Sequence, residues 1–208
     1  MRVKKMFFVL TLLVVAFSPL RAESETFIKG VYTRLPWHQF KYDGKTVEVI
    51  EFLSFYCDGC YSLERAIPAI KGNFPKKIRW KTIPIYWGKS SPKPGEAYFL
   101  AEEAGKGEKM KEALFRAHFV ERKNIGDLKV LEELGQKLGL GFDFSKKLRA
   151  GDKAEDVQKA LDMAGAYAIN ETPTLIIAGN IMTNLHPFGH NIDSFRENLM
   201  MILGSILK

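Results

Sequence analysis

The sequence predicts an α/β fold whose two β-bearing parts are separated by an all-helical block, and three observations carry the prediction. Val47 to Ile70 passes from a run of β-branched and aromatic residues through Cys57-Asp58-Gly59-Cys60 into a helical pattern. Lys77 to Trp87 alternates as a second strand, joined to the first through that helix as a βαβ unit. From Glu96 to Ala168 no convincing strand occurs, and strand signals return at Thr174. With 208 residues and 46% hydrophobic content, one domain, or one domain with an insertion, has ample material for a core.

The first 22 residues stand apart. Arg2, Lys4 and Lys5 make a basic start, Met6 to Phe17 is apolar except for Thr11, and Ser18-Pro19-Leu20-Arg21-Ala22 breaks the run and ends on a small residue. That is the layout of a secretory signal peptide, with cleavage expected after Ala22. The apolar run of 12 residues is short of the ~20 a spanning helix needs, which places an uncleaved anchor second. Removing the four basic residues of this leader takes the formal charge from +7 to +3, so the basic balance says little about nucleic acid and no such partner is expected. The run Lys106-Gly107-Glu108-Lys109-Met110-Lys111 reads as a solvated helix face.

Taken in order, Thr26-Phe27-Ile28 and Gly30-Val31-Tyr32 are candidate edge-strand pieces, Trp37 is expected to pack its ring over the domain, and Asp43-Gly44 is a turn signal. Val47 to Tyr56 lacks clean alternation, as expected of a strand buried on both faces in the centre of a mixed sheet. Glu51 interrupts it. A carboxylate buried there is costly to desolvate and keeps its proton to a higher pH than a free Glu; the alternative is that the strand ends early and Glu51 is solvated. Leu63, Ala66, Ile67 and Ile70 then fall at helical spacing, with Pro68 predicting a kink or an early end.

In the second strand Ile78, Trp80 and Thr82 share one side, Pro84 bounds the regular part, and Gly88 to Gly95 is a loop. Met110, Leu114, Phe115, His118 and Phe119 signal a helix, with His118 on a face near the core. Leu128, Leu131, Leu134 and Leu138 signal another, with Asp127 as N-cap and Gly139 as stop. Asp152 to Ala168 gives a third. Thr174 to Ala178 is a strand entered through Glu171-Thr172-Pro173 and turning at Gly179-Asn180 into a partner that begins at Ile181. A packing helix from Ile192 to Leu207 ends the chain.

Cys57 and Cys60 are the only cysteines. An exported chain with one Cys-x-x-Cys pair is not stapling a small fold, because so short a loop constrains the unfolded chain little. The pair can close a redox disulfide or offer two ligands to a metal. At a helix start, Cys57 meets unpaired N–H groups and the positive end of the macrodipole, which lower a thiol pKa from about 8.5 into the range of roughly 3.5 to 7.5. Cys57 is then the nucleophile and Cys60, one turn inward, the resolving thiol. In a zinc alternative the two cysteines join His186 and His190, whose spacing suits a ligand pair although Pro187 and Gly189 break any helix between them. In a third reading the protein is a peptide-binding chaperone with apolar surface around Tyr56, Trp87 and the Pro173 loop, and the redox pair is secondary.

The run Glu51-Phe52-Leu53-Ser54-Phe55-Tyr56-Cys57-x-x-Cys60-Tyr61, the downstream Thr172-Pro173 and the helical block between them resemble the DsbA branch of the thioredoxin superfamily. The resemblance covers essentially the whole chain after the leader. It implies a thioredoxin-like fold formed by residues 23–92 and 169–208, with an inserted all-helical domain at 93–168. It implies that Pro173 is a cis-proline beside the cysteines which, with the Thr172 backbone, holds an extended substrate segment. Glu51 matches a buried acid that assists proton movement at the second cysteine. The implied activity is thiol:disulfide exchange with unfolded or cysteine-containing exported proteins in the periplasm or a similar space, by a monomer whose only redox group is the Cys57-Cys60 disulfide.

By the same resemblance an oxidase would be recycled by a DsbB-like membrane protein and a reductase by a DsbD-like one. An isomerase fits less well, because residues 23–45 are too short for a separate dimerisation domain. The dipeptide departs from the family, whose well-known oxidases carry Pro-His. Asp58 puts a negative charge beside the sulfur and Gly59 adds backbone freedom, and both are expected to raise the Cys57 pKa relative to those oxidases. The family favours oxidation and the dipeptide favours reduction, so the direction of electron flow stays open.

Overall fold

The computed structural model describes residues 27–208; the expected signal peptide and Thr26 lie outside them. The centre is a mixed sheet of five strands, β1 (Thr33–Arg34), β2 (Val47–Leu53), β3 (Ile78–Pro84), β4 (Thr174–Ile177) and β5 (Ile181–Asn184), ordered β1-β5-β4-β2-β3 in space. β2 lies between β3, to which it runs parallel, and β4, to which it runs antiparallel, and all but one of its residues are buried. That position explains why its sequence does not alternate: neither face meets water. Helix α1 (Asp58–Asn73) connects β2 to β3 as the expected βαβ unit.

Between β3 and β4 the chain is helical: α2 (Lys93–Glu103), α3 (Gly107–Phe115), a π-helical turn (Arg116–Val120), α4 (Leu128–Lys137), α5 (Gly141–Ala150) and α6 (Ala154–Ala166). The Asp127 carboxylate caps α4 by accepting the Lys129 N–H at 2.9 Å, and Gly139 follows its end in the left-handed region at φ +67°. The sequence does not single out α2 or α5. α2 buries Pro94, Glu96, Ala97, Tyr98, Leu100 and Ala101, a set too broad to leave an amphipathic stripe, and α5 is anchored by Phe144 and Leu148 alone.

Three apolar clusters fix the layers. α1 and the terminal helix α7 (Ile192–Ile206) cover one face of the sheet through Leu63, Ile70, Phe195, Leu199 and Ile202 against Val47, Val49, Leu175 and Ile177. α6 covers the other face through Ala160 and Ala164 against Ile50, Phe52 and Ile176. The third cluster joins Leu53, Phe55 and Cys60 to Ala97, Met110, Leu114, Phe115 and Leu131, so the inserted helices seat against the cysteine end of the sheet. Truncating one such side chain to Ala costs about 2–5 kcal/mol.

Four expectations need correction. The edge strand is Thr33–Arg34 rather than the pieces upstream, because the Lys29 and Val31 N–H groups donate to Ser205 Oγ and Asn198 Oδ1 on α7, at 3.0 and 2.6 Å, and not to the sheet. Trp37 is 65% exposed, so its ring is turned mostly to solvent rather than packed over the domain. α1 passes through Pro68 without the early end, the proline ring standing on the exposed side of the helix. The β4–β5 loop is three residues, Ala178-Gly179-Asn180, with Ala178 and Gly179 both left-handed; a β-carbon on Gly179 would lie 2.6 Å from the Gln39 carbonyl oxygen.

Candidate active site

β2 delivers Cys57 to the N-cap of α1, where extended backbone (φ −98°, ψ 120°) leaves its sulfur at the open end of the helix. Cys57 Sγ accepts the Cys60 N–H at 3.2 Å and lies 3.2 Å from the Thr172 carbonyl oxygen. The peptide bond from Thr172 to Pro173 is cis and leads directly into β4, which pairs antiparallel with β2. That pairing is what brings two segments 115 positions apart to the same sulfur. Cys57 is partly exposed and Cys60 fully buried, and both are free thiols.

The two thiols differ in acidity. Cys57 is lowered from 9.0 to about 6, first by hydrogen bonding from the Cys60 side chain; partial burial opposes this, bonds from Thr172 and the Cys60 backbone add to it, and the Asp58 charge opposes it last. Burial pushes Cys60 well above 9.0, reinforced by its bond to Cys57. Asp58 lies within the first turn of α1, its Oδ1 accepting the Gly59 N–H at 2.8 Å. Gly59 is helical, so its role is not the backbone freedom expected of it. A β-carbon there would come within 2.9 Å of Leu185 Cδ1 and 3.3 Å of Pro173 Cδ. Gly59 leaves room for Leu185 and Pro173.

Glu51 lies fully buried in the middle of β2, opposite Thr82 on β3 and Leu175 on β4. Its carboxyl is raised from 4.5 to about 7 by burial, against the opposing pull of the Lys111 charge and a hydrogen bond from Trp80 Nε1 to Oε2 at 2.8 Å. Lys111 is the site residue the sequence concealed. Its side chain has no exposure, and Nζ lies 2.9 Å from Glu64 Oε2, 3.1 Å from Glu108 Oε2 and 3.4 Å from Thr82 Oγ1. The Glu64 contact is the shortest of the three. The solvated face expected of Lys106 to Lys111 therefore fails at Lys111. Gly107, Met110, Lys111, Leu114 and Phe115 form the buried stripe of α3, a spacing of 3 and 4 that would have exposed the anomaly.

Around the cysteines, the half-buried Tyr56 meets His118 edge-on at 5.3 Å, and Tyr61 stacks on Phe119 at 5.0 Å. His118 and Phe119 belong to the π-helical turn, a local widening of the helix that is frequent at functional sites. Trp87 is 41% exposed. The zinc alternative does not survive: among the described residues no group of three or more His, Cys, Asp or Glu side chains comes together to hold a metal. His186 opens a 3₁₀ turn and His190 follows it, with their rings 6.2 Å apart.

The model of the DSBA-like thioredoxin domain family matches residues 48–197, a span that holds both cysteines, Glu51, Lys111 and the Thr172-Pro173 bond. The chain belongs to that family. The thiol:disulfide interchange protein DsbA of Azotobacter vinelandii is 25% identical over 159 residues, covering 76% of this chain and 74% of that protein. DsbA of Haemophilus influenzae is 27% identical over 166 residues, 77% of this chain and 79% of that protein. In fold, the crystal structure of Salmonella enterica serovar Typhimurium SrgA is similar at a TM-score of 0.70 and 19% identity, covering 86% of this chain and 99% of that one. The fold is accordingly α/β and thioredoxin-like, with a helical insertion.

Proposed function

We propose that this thiol:disulfide oxidoreductase works outside the cytoplasm, exchanging disulfides with cysteine-containing exported proteins through Cys57 and resolving the mixed disulfide through Cys60. The observation that carries the reading is the split between the two thiols: one partly exposed at a helix start and held near 6, the other buried and pushed well above 9.0. Family membership supports the chemistry, and the leader layout at residues 1–22 supports export to a periplasm-like space.

In the oxidising direction a substrate thiolate attacks Cys57 Sγ, the bond to Cys60 breaks, and Cys60 departs with the electron pair and takes a proton from Glu51. A second substrate thiolate then attacks the substrate sulfur of the mixed disulfide and releases Cys57 as a thiolate. In the reducing direction the steps reverse, with the Glu51 carboxylate taking the Cys60 proton as Cys60 expels the substrate. In this reading the Thr172 backbone bonds an extended substrate segment; its carbonyl oxygen, 3.2 Å from the reactive sulfur, supports that role. A thiolate stabilised to about 6 favours the reduced protein, hence donation of disulfides and recycling by a DsbB-like membrane oxidant. Asp58 acts in the opposite sense and favours the reductase reading, with a DsbD-like partner.

Cys57→Ala is expected to abolish both refolding of reduced ribonuclease and reduction of insulin; full activity in either assay would overturn the proposal. Equilibration with glutathione decides direction. A potential at or above that of the glutathione pool supports the oxidase, and one near that of thioredoxin supports the reductase.

A further inference from the structure

Lys111 comes from the inserted helices, yet it is buried among Glu64 of α1, Thr82 of β3 and Glu108 of its own helix. A lysine with no exposure is stable only where carboxylates compensate it. Three are present: Glu64 and Glu108 in direct contact, and Glu51 deeper in the sheet. The compensation is graded by depth, for the Glu51 side chain is wholly buried whereas those of Glu64 and Glu108 are 19% and 61% exposed. Glu64 and Glu108 also line a groove of about 640 Å³ between α1 and α3, so the cluster runs from the buried acid to the surface. Glu51 Oε1 has no hydrogen-bond partner among the described residues, which leaves one oxygen of the buried carboxyl open to gain or lose a proton.

We propose that Lys111 is a positioning residue for the redox pair, setting the protonation of Glu51, and that Glu64 and Glu108 modulate it from the groove. This rests on the reading of Glu51 as the acid that serves Cys60. The charged and titratable groups around Glu51 are Cys60 and Glu64 from α1, Lys111 and Glu108 from α3, and, across Thr82, Tyr98 and Glu102 from α2; β3 adds the Trp80 donor and β4 only Leu175. Lys71 of α1 adds a second cation farther off, its Nζ 5.6 Å from the centroid of the Trp80 ring and its charge acting on Glu64; Lys111 is the cation that touches Glu64 and Glu108. The signs follow from Coulomb's law in a poorly solvated interior. Without Lys111, Glu51 holds its proton to higher pH; without Glu64 or Glu108, the lysine is less compensated and Glu51 gives up its proton at lower pH. The insertion thereby governs how readily Cys60 exchanges a proton, although it contributes neither sulfur.

The test is a carbon-13 NMR titration of Glu51 in the oxidised full chain, where no thiol titrates, with Glu51→Gln assigning the signal. Lys111→Met is expected to raise the midpoint by at least one pH unit, a tenfold change in the protonation constant, and Lys111→Arg to restore most of it. Glu108→Gln, which alters a surface carboxylate and does not endanger the fold, is expected to lower the midpoint, and Glu64→Gln to do the same. Opposite shifts from opposite charges are a response that a purely structural lysine would not give. An unmoved midpoint in Lys111→Met, or, if that variant does not fold, in Glu108→Gln and Glu64→Gln, overturns the proposal. Because the titration needs no turnover, it stands or falls separately from the Cys57→Ala assay.

Discussion

Asp58 sits next to the reactive sulfur, yet it comes last among the influences on the Cys57 thiol. Its carboxylate turns back onto the Gly59 N–H at 2.8 Å, in the first turn of α1, where solvent and helix donors take up much of its charge. Asp58→Asn is therefore expected to lower the Cys57 pKa by only about half a unit and to raise the reduction potential by roughly 15 mV. Thiolate absorbance against pH and a glutathione equilibrium measure the two; a shift of two units would mean that the dipeptide charge, not the Cys60 bond, controls the sulfur. Cys57, Cys60 and Glu51 could be read from the sequence because each follows from one local rule: a helix start, one turn inward, a charge in a buried strand. Lys111 could not be read in the same way. It lies in a run where Glu108, Lys109 and Glu112 supply the look of a solvated face, and the carboxylate it reaches at Glu64 is 47 positions earlier.

At the scale of elements, the meeting of α1 with the β5 end of the hairpin sets the space at the dipeptide. Gly59 faces Leu185 and Pro173 so closely that a β-carbon would sit 2.9 Å from Leu185 Cδ1, the far end of a flexible side chain, and 3.3 Å from Pro173 Cδ, part of a fixed ring. Gly59→Ala gains helix propensity of up to about 1 kcal/mol but overpacks this junction, for which about 1–3 kcal/mol is typical, so a small net loss of stability is expected. Adding Leu185→Val should recover most of that loss, as a double-mutant cycle in urea would register. Additive effects would show that the hairpin does not constrain the dipeptide. The elements around this junction were legible where periodicity and burial agree: β2, β3, α1, α4, α6 and α7 all lie where the pattern puts them. β1 was misplaced because backbone hydrogen bonds to α7 side chains, invisible to any local pattern, hold the segment just before it. α2 escaped notice because burial on most of its surface erased the stripe that would have marked it.

For the whole molecule, the titrations of the buried Glu51 and the partly exposed Cys57 make stability depend on pH in opposite senses. Glu51 is raised from 4.5 to about 7, so the folded protein keeps a proton that the unfolded chain gives up; the stability this contributes is whole below 4.5 and is lost as pH climbs through about 7. Cys57 is lowered from 9.0 to about 6, so its contribution is whole above 9.0 and is lost as pH falls through about 6. Oxidation to the disulfide removes the Cys57 titration and leaves that of Glu51. Urea unfolding of the oxidised protein is therefore expected to show stability declining between pH 4.5 and 7 by up to about 3 kcal/mol, with Glu51→Gln abolishing most of the decline. The reduced protein shares that decline but gains on the oxidised form from pH 6 to 8, before the raised thiol of Cys60 begins to offset the gain near 9.0. By the thermodynamic cycle linking folding to reduction, the same gap governs the redox equilibrium, so the fold's preference for the dithiol over the disulfide should grow across that window. A gap between the two forms that stays flat from pH 6 to 8 would mean that the fold does not stabilise the Cys57 thiolate, and the basis for donating disulfides would go with it.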